Sequence, residues 1–194
     1  AWAAAISVFD DTRGYIDGQV VIVDNLSPSN DWELLESFHL GLRQSNPELA
    51  DKITLIQAGE NRGFGAGCNV GIRWAQEQDM PPEYLYFLNP DAVVHPKAIR
   101  SLVDTLNLHK DAGIAGGCVM RENNHVWAPA FRFPSATTDF ESNARLGLIS
   151  KIFKDQRIHR DVSQSQKVDW VGGFSFLVRL AVLKQVGTFD ENFF

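Results

Sequence analysis

Two aspartates in this 194-residue sequence stand where a carboxylate can do chemistry. Asp24 ends the β-branched run of GQVVIVDN (residues 18–25), and Asp91 follows the aromatic run YLYFL directly after Asn89-Pro90. A short apolar run that stops at a turn signal reads as a buried strand, and Pro90 cannot continue a hydrogen-bond ladder. Both carboxylates are therefore expected at strand ends, where ligands bind in open α/β sheets. Asp24 could accept hydrogen bonds from a nucleobase N–H or from ribose hydroxyls. Asp91 could hold a cation or a substrate. The plainer use of Asp24, Asn89 and Asp91 is turn building, because Asn and Asp bond their own backbone.

Between the two lies GENRGFGAGCNVG (residues 59–71), with Gly63, Gly65, Gly67 and Gly71 leading into a helix. Glycines allow close backbone approach to a ligand, and a helix N-terminus favours phosphate. Tight packing at positive φ is the bland alternative. The loop imitates a dinucleotide fingerprint, but there the glycines precede the acidic strand end, and here Asp24 comes first. His95 reads as a helix-entry residue before Pro96, while His39, His109, His125 and His159 lack metal spacing. Phe131, Phe133, Trp170, Phe174 and Phe176 read as core, with Trp127 and Trp170 the better aromatic contacts for a sugar ring.

The elements that must hold these residues alternate. After the strand at Asp24, a helix is expected from an Asn30 cap with Glu33 in capping-box position. Leu34, Leu35, Phe38 and Leu42 form its apolar stripe. A strand at 53–56, a helix from about Ala66 to Gln78 and the strand 84–88 follow. A helix then opens at Pro96, with Ile99, Leu102, Val103 and Leu106 on one face, and leads to a buried strand over 112–119. This β-α-β-α-β-α-β order implies a mostly parallel sheet covered by helices on both faces. Past Arg121 the periodicity fades until the strand-like KVDWVGGFSFLVR, a short helix near 180–185 and the terminal FDENFF. We read residues 1–120 as a nucleotide-type half and 121–194 as a less regular half of the same domain.

Composition is ordinary for a globular protein with a core: 44% of residues are hydrophobic and 22% charged. A net charge of −6 without a basic stripe argues against nucleic acid. Cys68 and Cys118 fit no metal spacing and suggest a reduced, cytoplasmic compartment. The apolar opening AWAAAISVF is short and runs into Asp10-Asp11, so it reads as neither a signal peptide nor a membrane span. No other stretch is long enough to span.

VVIVDNLSPS, ENRGFGAGCNVGIRWA, YLYFLNPDAVV and then VDWVGGFSFLVR with VGTFDENFF, in that order, resemble the family 2 glycosyltransferases of the GT-A (nucleotide-diphospho-sugar transferase, Rossmann-like) fold. The pattern is most similar to their rhamnosyltransferase-like bacterial branch, over nearly the whole chain. The resemblance implies an inverting enzyme that moves a sugar, rhamnose in that branch, from a dTDP-, UDP- or GDP-sugar to a saccharide or lipid-linked glycan, with a peripheral place at the inner face of the membrane. By the same match Asp24, Asn25, Asn61, Gly63, Phe64, Asn69, Asn89 and Asp91 face the donor. Trp170, Gly172 and Gly173 lie on the acceptor side.

Asp91 corresponds to the last aspartate of a metal-binding DxD element, with Asn89 in place of the first, and would hold Mg²⁺ or Mn²⁺. Cys68 stands where the branch often has asparagine. Relatives carry a strand ahead of the first helix and an acidic catalytic-base element after the FDENFF segment. The base is accordingly expected beyond Phe194, with Asp190 and Glu191 as substitutes within the sequence, and the chain reads as a fragment. The rivals are a nucleotidyltransferase, for which Arg62 is the one basic residue of the glycine loop, and a non-catalytic nucleotide- or sugar-binding module.

Overall fold

The computed structural model describes residues 2–12, 17–29, 31–120, 126, 127, 130, 131, 133 and 165–193. Helix α1 (Trp2–Thr12) precedes strand β1 (Val20–Asp24), and α2 (Asp31–Ser45) and the short α3 (Pro47–Ala50) lead to β2 (Ile53–Gln57). Strands β1 and β2 pair in parallel, from Val20 opposite Ile53 to Asp24 opposite Gln57. This is the right product of a strand–helix–strand sequence, because parallel neighbours need a crossover. Asn30, the expected cap of α2, lies outside the described residues.

Helix α4 (Gly63–Gln76) follows, then β3 (Tyr84–Leu88), α5 (Ala98–Leu108), β4 (Ile114–Gly116), β5 (Val119–Met120), β6 (Val126–Trp127), β7 (Ala130–Phe131), β8 (Trp170–Val171), β9 (Ser175–Arg179) and α6 (Leu180–Val186). Strand β9 enters between β3 and β4 and runs antiparallel to both. Its Phe176, Leu177 and Val178 are all buried, as a strand covered on two faces requires. The α/β class stands, and the antiparallel part of this sheet comes from a strand about 90 residues downstream of β3. Two antiparallel pairs, β5–β6 and β7–β8, lie outside these sheets.

Several expected boundaries shift. Helix α4 begins at Gly63 rather than near Ala66, so most of the glycine-rich stretch is helix. The helix expected at Pro96 starts at Ala98, after Lys97 in the left-handed region (φ 70°). The strand expected over 112–119 divides into β4 and β5, with Val171 packed so close that a Cβ on Gly116 would lie 2.7 Å from it. On α5, Ile99, Leu102 and Leu106 are buried as their spacing requires, and Leu102 and Leu106 join Ala115 and Leu177 in one cluster. On α2 only Leu35 is buried; Leu34 and Phe38 are exposed. Helix α1 packs against both β1 and α5, which ties the β1–β2 side to the β3–β9–β4 side.

Candidate functional site

Asp24 sits at the last position of β1 and is 6% exposed. Its Oδ1 accepts the Ser27 backbone N–H at 3.1 Å, and Oδ2 accepts from Gln57 Nε2 at 3.4 Å. Burial pushes the carboxyl up, but the Ser27 and Gln57 hydrogen bonds outweigh it and leave it below the ordinary carboxylate value. A buried, ionised carboxylate at a strand end is thus held ready to accept further N–H or O–H donors.

Asn25, next in sequence, joins the glycine helix to β1. Its Nδ2 donates to Asn61 Oδ1 at 3.0 Å and to the Gly63 carbonyl at 2.9 Å, while Asn61 Oδ1 also accepts the Gly63 N–H. Its Oδ1 is buried with no hydrogen-bond partner, an unmade bond of the kind that native structures rarely carry. The glycines of α4 serve packing: Cβ atoms on Gly65, Gly67 and Gly71 would meet Phe189, Asn25 and Val23 at 3.2, 3.5 and 3.8 Å. Gly63 is the one whose φ, 84°, demands glycine.

Asn69 is 1% exposed and exchanges two hydrogen bonds with the Phe189 backbone, at 2.8 and 2.9 Å. Its Nδ2 also reaches Glu191 Oε1 at 2.9 Å, and Arg62 Nη1 approaches Glu191 Oε2 at 2.7 Å. Arg73 stands 3.6 Å from the same carboxylate. The Asn69 hydrogen bond, with help from both guanidinium groups, holds Glu191 below its ordinary value. Asp190 accepts two hydrogen bonds from Asn192 and closes a turn. Glu191 and Arg73 were not singled out together by sequence, because a contact across 118 positions leaves no local signal. Cys68, on the same helix, is pushed up to about 12 by burial, which makes it an inert thiol.

A cavity of about 230 Å³ opens here, walled by Asn25, Ala58, Gly59, Glu60, Arg62, Ala66, Val70, Arg73 and Glu191. Asp24 lies one residue outside this wall, and Asp91 belongs to another loop. That loop is pinned at both ends: the Asn89 N–H donates to Phe174 O at 2.9 Å and the Val94 N–H to Ser7 Oγ at 2.9 Å. Asp91 between them is exposed, and its carboxylate has no partner among the described residues. No group of three or more His, Cys, Asp or Glu able to hold a metal occurs among those residues.

The segment 170–173 reaches the glycine helix through Phe64, whose ring lies 3.5 Å from a Cβ placed on Gly173. Phe64 also meets Phe189 edge-on, with centroids 6.2 Å apart. Trp170, 41% exposed, stacks on Phe131 at 3.9 Å, and Gly172 is half-buried beside it. Phe131 and Phe176 are core as expected, whereas Phe133 is 65% exposed. The side chain of Trp127 lies outside the described residues.

Asp24 at a strand end, joined through Asn25 to a glycine-bearing helix, sits in an α/β arrangement of strands and helices. The family model for glycosyl transferase family 2 matches residues 7–186. The chain belongs to the family 2 glycosyltransferases and has their GT-A α/β fold. It is 25% identical over 166 residues to an N-acetylglucosaminyl-diphospho-decaprenol L-rhamnosyltransferase of Mycobacterium tuberculosis, covering 79% of this chain and 53% of the relative. It is 27% identical over 178 residues to the low-salt glycan biosynthesis hexosyltransferase Agl10 of Haloferax volcanii, covering 91% and 49%. The chain spans about half the length of these curated relatives. Among the described residues no helix is long and apolar enough to cross a membrane.

Proposed function

We propose that the chain binds a nucleoside-diphosphate sugar and takes part in transferring that sugar, with inversion, to a glycan hydroxyl. The observation that carries this reading is Asp24, a buried carboxylate kept ionised at a strand end and bonded through its neighbour Asn25 to the glycine helix. In this role Asp24 accepts hydrogen bonds from the nucleoside, with Asn61 and Gly63 tied to its neighbour Asn25 and Phe64 following Gly63 on α4. The M. tuberculosis relative's name favours rhamnose as the sugar and a lipid-linked diphosphate acceptor.

Asp91 alone would hold a divalent cation, Mg²⁺ or Mn²⁺. An exposed carboxylate with no partner among the described residues fits Mg²⁺, which keeps several waters and takes one or two carboxylates plus substrate phosphates. Such a cation would neutralise charge gathering on the diphosphate leaving group. The Ser7 and Phe174 hydrogen bonds position the loop that presents Asp91. Glu191 acts as a positioning residue here, because a carboxylate engaged by Asn69, Arg62 and Arg73 is a weak base. The same pairing occupies Arg62, on which a nucleotidyltransferase reading would depend.

Calorimetry of the 194-residue chain with UDP, dTDP and GDP, with and without Mn²⁺, tests this reading. The expected result is metal-dependent binding of one diphosphonucleoside, weakened at least about tenfold by Asp24→Asn and stripped of its metal dependence by Asp91→Ala. Binding of NAD as tight as that of every diphosphonucleoside, or no nucleotide binding at all, would overturn it.

A further inference from the structure

We propose that two copies of the chain associate through the outer edge of β2 and the adjoining face of α2, merging their β1–β2 pairs into one four-stranded sheet. Among the described residues β2 pairs only with β1. Lys52 O accepts from Val20 N at 2.9 Å and Ala58 N donates to Asp24 O at 2.8 Å, so both face β1. Backbone groups alternate along a strand, which turns Thr54 and Ile56 toward β1 as well. Ile53, Leu55 and Gln57 therefore present N–H and C=O groups outward. The strand ITLIQ contains no charge, proline or glycine, the devices that usually keep an edge from pairing.

A groove of about 540 Å³ runs beside this edge, between Ile53, Thr54 and Leu55 and one face of α2. That face carries Trp32, Glu36, His39, Leu40 and Arg43, a single helical stripe by its spacing. Leu40 on it is 61% exposed. An open groove could take several occupants, and charge selects a second copy. Glu36 and Arg43 stand two turns apart, roughly 10 Å along the helix. A twofold axis normal to the sheet sets α2 antiparallel to its copy, so Glu36 of each chain faces Arg43 of the other. His39 and Leu40 then fall at the axis.

The strands obey the same symmetry. With the axis at Leu55, that residue pairs with its own counterpart and Ile53 with Gln57 of the second copy, so every outward-facing residue enters a hydrogen-bonded pair. Helix α2 packs on β2. Its counterpart would lie about two strand spacings away, roughly 10 Å, a distance at which helices pack. Arg43 now leans on Asp51 at 3.8 Å in an exposed pair that is easily exchanged.

The test is sedimentation and light scattering of the 194-residue chain over a micromolar concentration series, with circular dichroism to confirm each variant's fold. The wild type should dimerise reversibly. Glu36→Arg and Arg43→Glu should each weaken the dimer about tenfold, since each sets two like charges face to face. Mixing E36R with R43E should restore association, because both charge pairs become attractive in the mixed dimer. Leu40→Asp should dissociate it. A wild type that stays monomeric throughout, a dimer indifferent to both single reversals, or a mixture no tighter than its components would overturn the proposal.

Discussion

Helices α5 and α2 carry comparable apolar spacing, yet they meet different sheets. Helix α5 lies against β4 and β9 and buries Ile99, Leu102 and Leu106. Helix α2 lies against β2, which among the described residues pairs with β1 alone, and buries only Leu35. Two strands span only about 10 Å, too narrow to cover a helix's apolar stripe, whereas three strands can. The third strand on the α5 side is β9, delivered from far downstream. A helix's burial thus depends on what the rest of the chain brings against it, β9 and α1 in the case of α5, as well as on its own pattern.

That contrast can be broken at graded cost. Leu106→Ala, at a position with no exposed surface, should remove about 3–4 kcal/mol of stability in urea titrations. A loss below about 1 kcal/mol would mean that the α5 side is loosely packed. Asn69→Ala should cost about 3 kcal/mol, because the Phe189 N–H and C=O lose their shared partner. The same change should raise protease sensitivity near 189–193, which a purely local effect within α4 would not.

A smaller effect concerns Asp24. Its folded value lies below its unfolded one, so its contribution is present above about pH 4 and fades as pH falls through the folded value. The stability gap between wild type and Asp24→Asn should accordingly shrink on acidification below pH 4, and a gap that widened would reverse the sign. Smallest of all, Leu34→Ala should change stability by less than about 0.5 kcal/mol, since Leu34 is 67% exposed. A loss near that of Leu106→Ala would erase the difference between the two helices.

Much of the scaffold was legible from local rules. The strands ending at Asp24 and at Leu88, the stripe of α5 and the turn at Asn89-Pro90 each depend on neighbours a few positions apart, and each lies where its pattern requires. The α/β class follows from that alternation. The glycine stretch was harder, since its residues suit a phosphate loop and a tightly packed helix equally well. Only the positions of Phe189, Asn25 and Val23 decided for the helix.

The sequence by itself determined where carboxylates meet strand ends, because hydrophobic runs and turn residues act over a few bonds. The tertiary structure decided what holds them: Gln57 and Ser27 at Asp24, Ser7 and Phe174 around Asp91, and Glu191 clasped by Asn69, Arg62 and Arg73. Several of these partners lie some 30 to 130 positions apart, and such contacts leave no periodic trace in the chain. They exist because burial brings polar groups together that must then satisfy one another.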